Sequence, residues 1–259
     1  MTALATGRNT PYRLPGLLSG ALAASVVVFA GAIVMRNASG YLTKGATGLN
    51  LVGAGVAEEA KTGGASAGDE TIRYRADVHR LANSASTDEI TIADIGKVCF
   101  CVDDQTVAKT SGSGTRSPVG FVADVDSLGV WVEFDEAKLR TWVAQRKRIV
   151  QLRLTTIAGS GSPAYRVISP FSGLVTRIQS IIELALTSAD ATLTAAIAGT
   201  GITNGVITVT QSGSAAGDKD SASPTAANYV TAGDELKVTV TGTQAAAAPA
   251  NVIFEIDAD

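Results

Sequence analysis

Few side chains in this chain are equipped for covalent or acid–base chemistry. Its one histidine, His79, lies in Asp77-Val-His-Arg80 with no serine, cysteine or second histidine in a recognisable motif, so it reads as an ordinary sheet or surface residue. Cys99 and Cys101 are separated by one residue in Val98-Cys-Phe-Cys-Val102. On an extended strand residues i and i+2 share a face about 7 Å apart, too far for an easy disulfide, so both read as reduced, buried strand residues. A structural zinc site takes four ligands, more than this histidine and these cysteines supply. Carboxylates gather at Asp103-Asp104 and at Asp124 and Asp126, the residue type for calcium or for an acid–base pair, but their turn-rich surroundings fit solvated carboxylates better. Gly53-Ala-Gly55 lacks the third glycine and the lysine of a phosphate loop. The expectation is a protein that is not an enzyme, with no catalytic residue, cofactor or metal.

Charge is more informative taken by segment. The 21 Lys and Arg against 24 Asp and Glu leave a net charge of -3, which argues against nucleic acid as the partner. Residues 136 to 153 nevertheless carry 6 basic groups and 1 acidic one, between flanks in which acidic groups predominate. Asp135 is placed to cap a helix there, with Leu139, Trp142 and Val143 at i, i+3 and i+4 on one face, running into a strand near Ile149 to Leu154. Arg140, Trp142, Arg146, Lys147 and Arg148 are the candidate contact residues of this tract, against the plainer reading of a solvated helix face.

The elements that must position these residues read as short strands. Hydrophobic residues make up 46% of the 259 but aromatics only 5%, and glycine-containing turns punctuate the apolar runs, which fits short strands and turns better than a helical bundle. Leu14 to Met35 is uncharged and long enough to cross a bilayer, yet its β-branched run Ser25-Val-Val-Val-Phe-Ala30 and the turn at Gly31 predict two short strands, so no membrane partner is expected. Val26, Val27, Val28 and Phe29 form a candidate arm or edge strand at an interface. Val98, Phe100 and Val102 are expected to face a core, as are Val130, Val132 and Phe134, and Leu236, Val238 and Val240. The predicted organisation is mainly β: an extended N-terminal arm over 1–24, a barrel- or sandwich-like β domain over 25–135, a basic helical bridge and linker over 136–163, and a jelly-roll or immunoglobulin-like sandwich over 164–259.

Several segments also carry a family likeness. Gly31-Ala-Ile-Val34, Ala38-Ser-Gly-Tyr41, Gly55-Val-Ala57, Ile90-Thr-Ile-Ala-Asp-Ile-Gly96, Val102-Asp-Asp-Gln-Thr-Val107, Thr115-Arg-Ser-Pro-Val-Gly-Phe-Val-Ala-Asp-Val125 and Val130-Trp-Val132 follow in order over residues 25 to 135. This part resembles the small capsid decoration, or cement, proteins of tailed bacteriophages. Ser188-Ala-Asp-Ala-Thr-Leu-Thr-Ala195, Gly205-Val-Ile-Thr-Val209, Gly213-Ser-Ala-Ala-Gly-Asp218 and Pro224-Thr-Ala-Ala-Asn228 look like a β-sandwich appended to phage head decoration or fibre proteins. The resemblance implies a virion protein on the outer surface of an icosahedral capsid, bound to the major capsid protein, commonly as a homotrimer, and stabilising the shell. It implies no active site: Asp94, Gly96, Asp103, Asp104 and Arg116 are turn and strand-pairing positions in it. The apolar start and the basic tract lie outside the likeness. The alternative is a head-fibre module binding host-surface glycans or a receptor, and a membrane-tethered surface protein is a third reading.

Overall fold

The computed structural model describes residues 16–158, 163–242 and 247–258. The chain is mainly β, with one α-helix among these residues, and divides into two compact units, Met1–Thr141 and Trp142–Asp259.

Seven short strands open the first unit: β1 (Leu17–Ala21), β2 (Val27–Val28), β3 (Ile33–Arg36), β4 (Leu42–Lys44), β5 (Val52–Ala57), β6 (Lys61–Thr62) and β7 (Thr71–Arg75). Five form an antiparallel sheet in the order β1-β7-β5-β3-β4, and β2 pairs with β6 alone. Just beyond β1, the Ala23 amide donates to the Leu42 carbonyl at 2.8 Å, so the two outer strands of the sheet meet. Leu22, Val28, Val34, Leu42, Ile72 and Tyr74 are buried inside this curl. The arm expected over 1–24 is thus a paired strand from Leu17 onward, and its first fifteen residues lie outside those described. The strands expected around Val26 and Ala32 are present as β2 and β3. No helix of the described residues is long and apolar enough to cross a membrane.

Five further strands, β8 (Val78–Asn83), β9 (Val98–Cys101), β10 (Thr106–Ala108), β11 (Pro118–Asp126) and β12 (Gly129–Glu133), close into a barrel in the order β10-β8-β12-β11-β9. Val130, Val132 and Phe134 point into its core as their alternation predicts, with Leu81, Val107 and Val119. In β9 the expected orientation is reversed. Cys99 and Cys101 join the barrel core, while Val98 and Phe100 are buried outside that cluster. A strand covered on both faces is apolar throughout, so alternation carries no sign of which face turns inward. The sheet packs on the barrel through Gly53 of β5, where an added Cβ would collide with the Val119 carbonyl of β11. That close approach requires the glycine at 53, and at Gly55 an added Cβ would collide instead with the Arg75 carbonyl of β7.

The helix α1 (Glu136–Gln145) follows, its start fixed by the Lys138 amide donating to the Asp135 carboxylate at 2.9 Å. Leu139 is its one fully buried side chain; Trp142 and Val143, expected on the same face, are half-buried. Arg36 clasps its first turn, donating from Nε to both Glu136 oxygens at 2.9 and 3.0 Å and from Nη2 to the Tyr74 hydroxyl at 3.1 Å.

The second unit contains β13 (Lys147–Leu154), β14 (Ala164–Ile168), β15 (Gly173–Ile182), β16 (Ala191–Ile197), β17 (Thr200–Val209), β18 (Lys219–Ala222), β19 (Tyr229–Val230), β20 (Glu235–Gly242) and β21 (Ala250–Ala258). One antiparallel sheet runs β13-β21-β15-β18, with β19 also on β15, and the other β14-β20-β16-β17. Their inward faces share a core that includes Val150, Ile178, Leu193, Ile207, Leu236, Val238, Val240 and Phe254. Residues 147–154, read from sequence as part of a bridge, are β13 of this sandwich, paired along their length with β21. Ser180 interrupts the apolar face of β15 between Ile178 and Ile182, fully buried and with no hydrogen-bond partner for its hydroxyl. An unsatisfied buried hydroxyl costs stability, so Ser180→Ala is expected to stabilise the second unit by about 1 kcal/mol, read as a higher urea midpoint.

Candidate functional site

The cysteines, Asp94 and Asp103 are held in structural roles. Cys99 and Cys101 are free and buried, and burial pushes both thiols up to about 12. The thiolate is the reactive form, so neither cysteine is expected to react with a thiol reagent at pH 8 in the folded protein, whereas both should after denaturation; rapid labelling of the native chain would contradict this burial. His79 stands edge-on to Phe134, ring centroids 6.0 Å apart, and its Nε2 is buried without a hydrogen-bond partner. The Asp103 carboxylate accepts the Gln105 and Thr106 amides at 2.9 and 2.8 Å, which makes it a turn residue. Asp94 closes a capping box with Thr91 and accepts Lys97 Nζ at 2.9 Å; the Thr91 backbone bond and then Lys97 outweigh burial and hold it below the usual carboxylate range.

The basic tract divides into parts with different duties. Arg140 bonds Glu136 one helical turn back at 2.8 Å. Arg146 lies 4.7 Å from the Trp142 ring centroid and donates to the Ala258 carbonyl, so Trp142 and Arg146 fasten the end of α1 to the last strand. Lys147 and Arg148 are exposed, and Ile149 beside them is 65% exposed. Arg140 stands on the exposed side of α1, as a solvated helix face would have it, whereas Lys147 and Arg148 lie beyond the helix end at Gln145, in β13. Ile149 and Val150 are β-branched and suit a pleated surface, and alternation sends Lys147 and Arg148 to opposite faces.

The other candidates, Val26 to Phe29, divide in the same way. Val28 is buried and Val26 half-buried, whereas Val27 and Phe29 are exposed, Phe29 by 65%. Phe29, Ala30 and Ala32 border a shallow depression of about 280 Å³ that also takes in Asp104 and Gln105. A second cleft of the first unit, about 510 Å³, is lined by Leu18, Ala54 and Phe134 together with Asp77, Glu133 and Glu136. Its carboxylates are answered within the chain, Glu136 by Arg36 and Arg140, Glu133 by Lys138 and Asp77 by Arg75.

Two arrangements were not legible in the sequence. Trp131 donates from its indole to Asp126 at 2.8 Å and lies under Arg80, 5.7 Å from the ring centroid, which fixes an aromatic on the outside of the barrel. The Trp131 bond, ahead of the Leu128 amide, holds Asp126 below the usual carboxylate range. Asp88 accepts hydrogen bonds from both Thr110 and Arg116. Glycan recognition favours exposed aromatic platforms. In the second unit Phe254 is fully buried, Tyr229 half-buried, and the Tyr165 hydroxyl is bonded to Thr156. Comparison with family models, with curated proteins and with solved structures found no match to the chain.

Proposed function

We propose that this chain is a structural protein of a tailed-phage virion that seats on the outside of an icosahedral capsid and stabilises the shell. In this reading it is not an enzyme; its partners are the major capsid protein and further copies of itself in a homotrimer, and its second unit is a jelly-roll or immunoglobulin-like sandwich projecting outward. The observation that carries the reading is where the family-like segments fall. The segments that resemble decoration proteins all fall in the first unit: Gly31–Val34, Ala38–Tyr41 and Gly55–Ala57 in its five-stranded sheet and the adjoining turns, and Ile90–Gly96, Val102–Val107, Thr115–Val125 and Val130–Val132 in its closed barrel and the connecting turns. Phe29 and Val27 in the first unit, and Lys147, Arg148 and Ile149 in the second, are exposed and are the contact points this reading assigns to multivalent seating.

Cryo-EM of intact particles from the source lysate tests the reading. Knobs of density at local three-fold positions on the outer shell, fitted by this chain, are expected; particles lacking the chain would overturn it. With that established, the double variant Lys147→Glu, Arg148→Glu is expected to lower occupancy on the particle, and full occupancy would remove these cations from the interface.

A further inference from the structure

Residues 110–116 make a compact loop between β10 and β11. Its hydrogen bonds are internal with one exception. The Thr115 and Arg116 amides donate to the Ser111 carbonyl at 3.0 and 2.9 Å, the Gly114 amide to Ser111 Oγ at 3.0 Å, and Thr115 Oγ1 to the Gly112 carbonyl at 2.8 Å. Arg116 also donates to the Thr110 carbonyl at 3.3 Å, and the Gly112 amide to Thr110 Oγ1 at the same distance. The exception is a single carboxylate on the neighbouring 3₁₀ turn Ser86–Asp88: Asp88 accepts from Thr110 Oγ1 with one oxygen and from Arg116 Nη1, at 2.7 Å, with the other. Both ends of the loop are tied independently, Lys109 by its amide to the Asp88 carbonyl and Ser117 by its carbonyl to Cys101 and its hydroxyl to Gly48. Gly112, Ser113 and Gly114 are all left-handed, at φ 61°, 57° and 75°, and the serine among them is strained there.

We propose that residues 110–116 are a latch, a preformed loop that the Asp88 carboxylate holds against the barrel and that swings free as a unit, with Lys109 and Ser117 as hinges, when that carboxylate is neutralised. Local opening of this kind costs far less than global unfolding, because no strand of the barrel has to part. The charged groups that act on Asp88 most strongly are Arg116 and Lys109, both cationic, and both favour its carboxylate form; Glu89 is its neighbour in sequence. The Thr110 and Arg116 hydrogen bonds together hold Asp88 below the usual carboxylate range. The latch is therefore closed above about pH 4 and opens as the pH falls through the lowered folded value.

Limited trypsin digestion and amide exchange of the full chain at neutral pH read the latch directly, since Lys109 and Arg116 are cleavage sites at its two ends. Asp88→Asn is expected to expose cleavage after Lys109 or Arg116 and to speed exchange within 110–116 at least tenfold, with β9 and β11 unchanged. Thr110→Val, which keeps the Arg116 contact, is expected to give a smaller increase in the same segment. Wild-type protection of the loop in Asp88→Asn would overturn the proposal. So would loss of protection spread evenly through the barrel, because Asp88 would then be a general stability residue.

Discussion

Alanine at Gly53 is expected to destabilise the first unit by about 3 kcal/mol, among the larger effects a single methyl group can have. A Cβ at this position meets the Val119 carbonyl, its carbon and its Cα, all main-chain atoms that cannot rotate aside. Relief requires β5 and β11 to separate, and their separation opens the core shared by Ile33, Met35 and Val56 of the sheet with Val119 and Val122 of the barrel. Urea unfolding checks the magnitude, and faster amide exchange in both β5 and β11 checks the cause. A wild-type midpoint for Gly53→Ala would mean that the two backbones are not apposed as described.

Phe254→Ala is expected to cost about 4 kcal/mol, confined to the second unit. Phe254 is wholly buried on β21, the strand flanked by β13 and β15, and it is one of the largest side chains in the sandwich core. Removing the ring leaves a cavity lined by residues of both sheets, which relax only in part. Exchange should quicken across β13, β15 and β21 while β9 and β11 keep their rates, because the cores of the two units are separate clusters. Equal quickening in both units would show that they unfold together.

Several elements were legible in the sequence because one physical signal dominated each. Strict alternation gave Val130, Val132 and Phe134 their common face, and likewise Leu236, Val238 and Val240. Asp126-Ser-Leu-Gly129 between two apolar runs gave the β11–β12 hairpin, in which the Leu128 amide donates to the Asp126 side chain at 2.7 Å. β8 was missed because a closed barrel turns one face of each strand to the outside, and Val78-His-Arg-Leu-Ala-Asn83 mixes exposed and half-buried residues around a single buried Leu81. β1 was concealed in an uncharged run whose length invites a different explanation. In the basic tract the capped helix and the strand from Ile149 were legible, but not that the strand begins at Lys147: a helical face and a strand edge both accept lysine and arginine, and only the pairing of β13 with β21 decides between them. The Asp88 to Arg116 contact is of the same kind, a pairing across 28 positions that no local pattern announces.

That last-strand pairing bears on how the chain is made. β21 lies between β13 and β15, so Lys147 finds its partner only at Asp257 and Gly173 finds its own at Ala258. During synthesis β13 and β15 leave the ribosome before the strand that joins them, so their shared partner arrives last. The first unit has every strand of its barrel by Glu133 and faces no such delay. Its folding can proceed while translation continues, whereas the sandwich must assemble after residues 250–258 have emerged, and contacts of such long sequence separation form slowly. In that interval Val150, Leu152 and Leu154 are the apolar face left uncovered, and Lys147 and Arg153, on the alternate positions of β13, give the opposite face its charge.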